Sequence, residues 1–261
     1  MATALDCDYS IEGSGPPLFL IHGIGASRGA WRFLVPTLRD HFTVVACDLR
    51  GHGTSPKSAG EFGLDDLVGD LERLCQRTGV EKAHFAGHSL GGMIGPAYAR
   101  KYPDRVLSLG LLSTAAGRTE DDSAKVWAVV HAMEEKGIPQ VLDTLVGRWY
   151  TDAFVAARPD IVQRRLKQVI DTDADVFLNV FRIYAGTEMM PWLNEVQARS
   201  LVLTGENDGG CNPRLNRLID DALPNSELVI LPAYKHAILL EAGEEVAAHL
   251  IRFMLGGKSL T

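Results

Sequence analysis

Short apolar runs rich in β-branched residues recur along the chain at 18–22, 43–47, 83–87, 106–112, 200–204 and 227–231, most of them separated by amphipathic segments. Runs that are apolar on both faces suit the central strands of a mostly parallel sheet covered by helices on each side, so the alternation predicts an α/β fold. Between them, residues 65–78 carry a helical period in which Leu67, Leu71 and Leu74 share one face while Asp66, Asp70 and Glu72 take the other.

The alternation breaks between about 117 and 197. Strand signals vanish, and helical patches follow at 123–136, 139–149, 159–171 and 174–186, punctuated by Pro139, Pro159 and Pro191. A helical insertion between two strands of a parallel sheet sits above their carboxyl ends, where open α/β sheets place ligands. The expected organisation is therefore a core of residues 1–117 and 197–261 with a helical cap at 118–196. No internal repeat or low-complexity tract interrupts it.

Composition narrows the function. With 261 residues, 46% apolar and 23% charged, the chain has material for one buried core plus a subdomain. The net charge of −7 and the lack of any Lys/Arg run argue against nucleic acid as a partner. No stretch approaches the roughly 20 apolar residues of a membrane span, and residues 1–10 lack the basic start and apolar middle of a signal peptide, so a cytoplasmic location away from membranes is expected. Cys7, Cys47, Cys75 and Cys211 stand far apart without paired spacing. They read as free thiols, with neither a zinc site nor a disulfide framework.

Gly87-His88-Ser89-Leu90-Gly91 follows the apolar run that starts at Ala83 and precedes a helical stretch from about Gly92. Turning a strand into a helix within so few residues strains the backbone at Ser89 and leaves no room for bulky side chains two residues either side, which the glycines avoid. The turn would hold the Ser89 hydroxyl proud of the sheet. A serine hydroxyl is a poor nucleophile at neutral pH and needs a base in hydrogen-bond reach, itself oriented by a third group.

Of the eight histidines, His236 follows the last predicted strand and precedes the closing helix, which places it at the strands' carboxyl edge. Asp208, after the run at 200–204, lies at the same edge, although Glu206 and Asn207 adjoin it and the following Gly209 and Gly210 also suit a plain turn. His22-Gly23-Ile24-Gly25, after the first run, brings backbone close to a ligand; the N–H groups of Ile24 and Leu90 are the candidates to hold an oxyanion, with His22 bracing the loop. The loop from Asp48 to Ser55 reads as a structural network around an Asp48–Arg50 pair rather than a metal or phosphate site. Alternation along the turn points His88 away from the nucleophile.

With the serine turn, the Asp208 and His236 loops and the His-Gly-Ile-Gly segment in place, the sequence resembles the α/β-hydrolase superfamily over nearly its whole length. Asp48-Leu49-Arg50-Gly51-His52-Gly53-Thr54-Ser55, the compact helical cap and Arg148-Trp149-Tyr150-Thr151-Asp152-Ala153-Phe154 are similar to the 3-oxoadipate enol-lactonase branch. The resemblance implies an eight-stranded sheet with a reduced first hairpin, a cap inserted after strand 6, no cofactor or metal, and hydrolysis of a small ester or lactone by a monomer or homodimer. Here the segment 208–213 is one residue longer than the usual loop after the acid.

Trp149 and Trp192 are the cap aromatics expected at the substrate, and Arg148 or Arg182 would pair with a substrate carboxylate. Trp127, Met133, Phe154, Phe177, Phe181 and Met189 are expected to pack, while Arg158, Arg164, Arg165 and Lys167 suit a solvated face. Rival chemistries on the same residues are carbon–carbon bond hydrolysis, cofactor-free perhydrolysis and slow-turnover reception of a small molecule. Dehalogenases and epoxide hydrolases of this fold use an aspartate nucleophile, against which Ser89 stands.

Overall fold

A computed structural model describes residues 3–256; Met1 and Ala2, the start of the 1–10 segment, and residues 257–261, the end of the 197–261 segment, lie outside the described residues. Seven strands form one sheet: β1 (Tyr9–Glu12), β2 (Pro17–Ile21), β3 (Thr43–Cys47), β4 (Ala83–His88), β5 (Val106–Leu112), β6 (Arg199–Gly205) and β7 (Ser226–Leu231). Their order is β1-β3-β2-β4-β5-β6-β7. β1 runs antiparallel to β3, with Tyr9 opposite Cys47, and every other pairing is parallel.

All six apolar runs became strands, with ends shifted by at most one residue. β1 escaped the apolar pattern because it is a four-residue edge strand, Tyr-Ser-Ile-Glu, whose Ile11 is 50% exposed. The reduced first hairpin is borne out: among the described residues the sheet has seven strands, and without the hairpin's first strand the helical insertion expected after strand 6 follows the fifth strand here, β5. β7 is corrected. Its position at the open edge of the sheet leaves five of its six residues only partly buried, whereas β2, β3 and β4 are buried along nearly their whole length.

The helices are α1 (Val35–Leu38), α2 (Leu64–Thr78), α3 (Gly91–Lys101), α4 (Glu120–Lys136), α5 (Ile138–Trp149), α6 (Asp152–Ala157), α7 (Pro159–Asp171), α8 (Ala174–Gly186), α9 (Pro213–Ala222), α10 (Ile238–Glu241) and α11 (Gly243–Met254). The strands' period of two sorts the core into two layers. Phe19, Ile21, Val45, Cys47, Phe85 and Val202 face α2, α3 and α9, whereas Leu18, Leu20, Val44, Ala46, Ala86 and Leu203 face α1, α10 and α11. Each fully buried aliphatic or aromatic side chain contributes roughly 1.5–3 kcal/mol, so the interior strands hold the sheet edge rigidly beneath the loops it carries.

Helix α2 corrects the sequence expectation for its polar face. Asp66 and Asp70 are buried: the Asp66 carboxylate turns back to accept Gly63 N–H at 2.9 Å and caps the helix, while Arg50 reaches under the helix and bonds Asp70 through Nε and Nη2, both at 2.6 Å. The segment α4–α8 lies between β5 and β6; Met133, Leu142, Leu145, Val169 and Phe177 form its own apolar cluster, against which Ile24 packs. α6 gave no sequence signal, being six residues long. Among the described residues no helix is long and apolar enough to cross a membrane.

Candidate active site

Between β4 and α3 the backbone turns sharply at Ser89, whose φ of 55° is rarely tolerated by a residue with a side chain. The turn is locked on both sides: Ser89 N–H donates to Leu112 O at 2.8 Å, and Thr114 Oγ1 donates to Ser89 O at 2.9 Å. A Cβ on Gly87 would lie 2.0 Å from the Gly91 carbonyl oxygen, and one on Gly91 would lie 2.1 Å from that of Ile21. The flanking glycines are thus required by close backbone approach.

His236 sits in the loop between β7 and α10, with Nδ1 2.7 Å from Asp208 Oδ2. Asp208 is buried, and its other oxygen accepts N–H groups from Gly210 at 3.0 Å and Cys211 at 2.8 Å. Burial opposes ionisation of Asp208, but the His236 ring and these amides outweigh it and hold the carboxyl below its ordinary pKa. Burial likewise works against a charged His236, yet the Asp208 charge and hydrogen bond raise the imidazole well above its ordinary value. Of the neighbouring acceptors, Glu206 is turned to Ala233 N–H instead.

Around His22-Gly23-Ile24-Gly25 the hydrogen bonds fix peptide orientation. His22 Nε2 accepts from Leu49 N–H at 2.9 Å, so Nδ1 carries the proton and donates to Gly23 O at 2.7 Å. Gly23 C=O and Ile24 N–H share one peptide plane. Pinning the carbonyl therefore aims the amide the opposite way. Among the described residues neither Ile24 N–H nor Leu90 N–H donates to a protein acceptor, and Leu90 opens α3, where the helix end favours negative charge.

Two neighbouring expectations are corrected. Asp48 pairs with Arg28 (Nη1 at 2.9 Å), not with Arg50, whose side chain leaves the loop toward Asp70. His88 does not point away: its Nε2–H donates to the His236 carbonyl at 3.0 Å and the two rings lie 4.8 Å apart, because the residue before Ser89 faces the loop that carries His236. Burial and the neighbouring His236 charge lower His88 to about 3, and burial lowers His52 to about 4, so both are neutral rings.

Ser89, Asp208 and His236 line one cavity of about 1180 Å³ between the sheet's loops and α4, α5, α7 and α8. Trp149 and Arg148 line it as the sequence suggested. Arg182 and Trp192 do not. The Arg182 guanidinium is held at the surface by Glu134, and Trp192 packs against the core under Arg100, whose guanidinium stacks 5.4 Å from the ring.

Sequence reading missed Arg32 and Tyr150 on the wall; Arg164 is exposed, as a solvated face implies, and also lines the cavity, whereas Arg165 does not lie on that solvated face. Arg165 is half-buried, and the signal for it was available: it falls at helical spacing within the buried stripe Ile161, Val162 and Val169 of α7. Among the described residues Arg32, Arg148 and Arg164 have no carboxylate within ion-pair distance, although they line the cavity. Burial and the nearby Arg164 charge lower the pKa of Arg32. All four cysteines are free and buried. Donor atoms of Asp208, Cys211 and His236 lie within 4.8 Å of one another, but the first and last already share a hydrogen bond.

A family model described as alpha/beta hydrolase fold matches residues 16–166. The chain is 26% identical over 219 residues to 3-oxoadipate enol-lactonase 2 of Acinetobacter baylyi, covering 84% of this chain and 81% of that protein. It is 28% identical over 244 residues to the dihydrolipoyllysine-residue acetyltransferase component of the acetoin cleaving system of Pseudomonas putida; the match covers 92% of this chain and 64% of that longer protein. Among solved structures, the enol-lactonase from Burkholderia xenovorans LB400 superposes with a TM-score of 0.89 at 24% identity, over 98% of this chain and 100% of that one.

Proposed function

The chain belongs to the alpha/beta hydrolase fold family, and from its site we propose that it hydrolyses a small carboxylic ester or lactone through an acyl-enzyme on Ser89. The observation that carries this reading is the 2.7 Å His236–Asp208 hydrogen bond in the same cavity as a serine held at positive φ. His236 takes the Ser89 proton as the oxygen attacks the carbonyl carbon, and Asp208 holds the ring with Nδ1 protonated and stabilises the imidazolium. The N–H groups of Ile24 and Leu90 receive the developing oxyanion. His236 then protonates the leaving oxygen, and water activated by the same ring releases the acid. In a lactone that oxygen stays tethered to the acyl group, so the product is a hydroxy acid, or a keto acid from an enol.

In this reading residues 118–196 form the cap that shapes the substrate chamber. Arg32, Arg148 and Arg164 give the wall a positive character unlike the chain's net charge of −7, which supports a substrate carrying a carboxylate. The enol-lactonase likeness supports a lactone. Four buried free thiols suit a reducing compartment such as the cytoplasm.

The test is steady-state hydrolysis of 3-oxoadipate enol-lactone beside a simple aryl acetate, with wild type and Ser89→Ala in parallel. Sustained turnover of the lactone, lost in the variant, supports both chemistry and substrate. Turnover of the aryl acetate alone removes the enol-lactonase assignment, and a variant as active as wild type removes Ser89 as nucleophile.

A further inference from the structure

We propose that Arg165 is a positioning residue for the oxyanion site, a strut through which helix α7 sets the His22–Gly25 loop; the proposal rests on the serine-hydrolase reading above. Arg165 Nη2 donates to Ile24 O at 2.8 Å and Nη1 to Gly25 O at 2.5 Å, so one planar fork fixes the two consecutive peptides that follow the Ile24 amide. His22 fixes the peptide that carries the Ile24 N–H itself, through Gly23 O. Ile24 is thereby clamped on both sides, by a core residue on one and by a residue 141 positions away on the other.

Three further features make this a fitted joint. The Arg165 guanidinium stacks 5.3 Å from the Trp149 ring, which holds it in place without a carboxylate partner among the described residues. One turn along α7, Gln168 Nε2 donates to Ser27 Oγ at 2.7 Å, a second tie from the same helix to the same loop. At Gly25, with φ +59°, a Cβ would lie 2.5 Å from the Phe177 ring of α8, so the ring of the helical segment occupies the space that any side chain at this loop position would need.

The charge also acts through space. His22, His52 and His88 surround the loop as neutral rings, each lowered first by burial and further by the Arg165 charge. In that surrounding Arg165 supplies an unneutralised cation beside the site where a negative oxygen develops, and its donation to the loop carbonyls polarises the peptides. Its contribution therefore falls on the transition state more than on the bound ester.

Arg165→Met, Arg165→Lys and Arg165→Gly are compared with wild type and Ser89→Ala, with thermal melting as the check on folding. The proposal expects kcat to fall about tenfold to a hundredfold in Arg165→Met, less than the ~10²–10³ of losing an oxyanion donor outright, with little change in KM. Arg165→Lys, which reaches one carbonyl at a time, falls between. An aryl boronic acid, whose tetrahedral adduct carries an oxygen where the oxyanion sits, weakens in step with kcat while affinity for the product acid stays unchanged; millimolar methylguanidinium partly restores Arg165→Gly. Wild-type kcat in a folded Arg165→Met overturns the proposal, as does a loss confined to KM and product affinity, which would make Arg165 a substrate-binding group. Full activity in Ser89→Ala sinks the underlying serine reading and the proposal with it, an outcome distinct from a wild-type-like Arg165 series beside a dead Ser89→Ala.

Discussion

His88 donates its Nε2–H to the main-chain carbonyl of His236 at 3.0 Å, so the residue preceding the candidate nucleophile anchors the backbone of the candidate base. Lowered to about 3 by burial and the His236 charge, His88 stays neutral and adds no like charge when His236 becomes an imidazolium. Truncation to alanine would leave the carbonyl without its donor, at about 1–3 kcal/mol, and free the loop. We predict that His88→Ala loses about tenfold in kcat and melts earlier, whereas His88→Gln, which keeps a donor near the Nε2 position, retains most of both. Equal activity in His88→Ala and wild type would show that the bond does not position His236.

The strands and the three candidate catalytic residues were legible because each depends on local pattern: six apolar runs, two glycines about a serine, and loops at the ends of strands. What escaped depends on contacts distant in sequence. Asp70 looked solvent-facing until Arg50, 20 residues earlier, is seen to reach beneath α2. Arg165 looked like one more surface cation because a charge at an apolar helix position is read as an interruption rather than as a side chain with carbonyls to meet. Arg182 failed in the opposite sense: its composition suited a substrate anion, but Glu134 on α4 satisfies it first.

His236 must be neutral to accept the Ser89 proton, and Asp208 holds its pKa well above the ordinary value of 6.5. Activity should therefore be low in acid and rise with pH through a limb lying above 6.5. Asp208→Asn removes the charge, so that limb should move to lower pH while the maximal rate drops by about 10³–10⁴. The measurement is kcat/KM against pH for both proteins. An unshifted limb in Asp208→Asn would assign the titration to another group.

Stability should respond to acid through histidines that are neutral when folded. Burial is the leading cause that lowers His52 and His84 to about 4 and His88 to about 3. Unfolded histidines take up protons near pH 6.5, so the stability these three contribute is complete above that pH and is lost as pH falls from 6.5 toward 4 and 3. Each supplies a slope of up to about 1.4 kcal/mol per pH unit, and together about 4. Chemical denaturation at pH 6.5, 5.5 and 4.5 would reveal it; equal unfolding free energies at the three values would show that the rings protonate in place.

Arg50 and Asp70 offer a test of how the loop below the active site is held. The pair is side-on, with both bonds at 2.6 Å, and is buried on both sides, while Arg50 Nη1 has no partner among the described residues. Removing one partner leaves the other charge in an apolar setting beneath α2, which costs about 3–5 kcal/mol, whereas replacing both by apolar side chains of similar volume removes the desolvation cost with the attraction. Arg50→Met alone should therefore be strongly destabilising, and Arg50→Met/Asp70→Leu should recover much of the loss even though it changes more residues. Asp70 also accepts Leu5 N–H at 2.6 Å, so the recovery should stop short of wild type. Denaturant melts of the three proteins decide it: a double variant as unstable as Arg50→Met would mean that the pair contributes through a geometry that hydrophobic packing cannot replace.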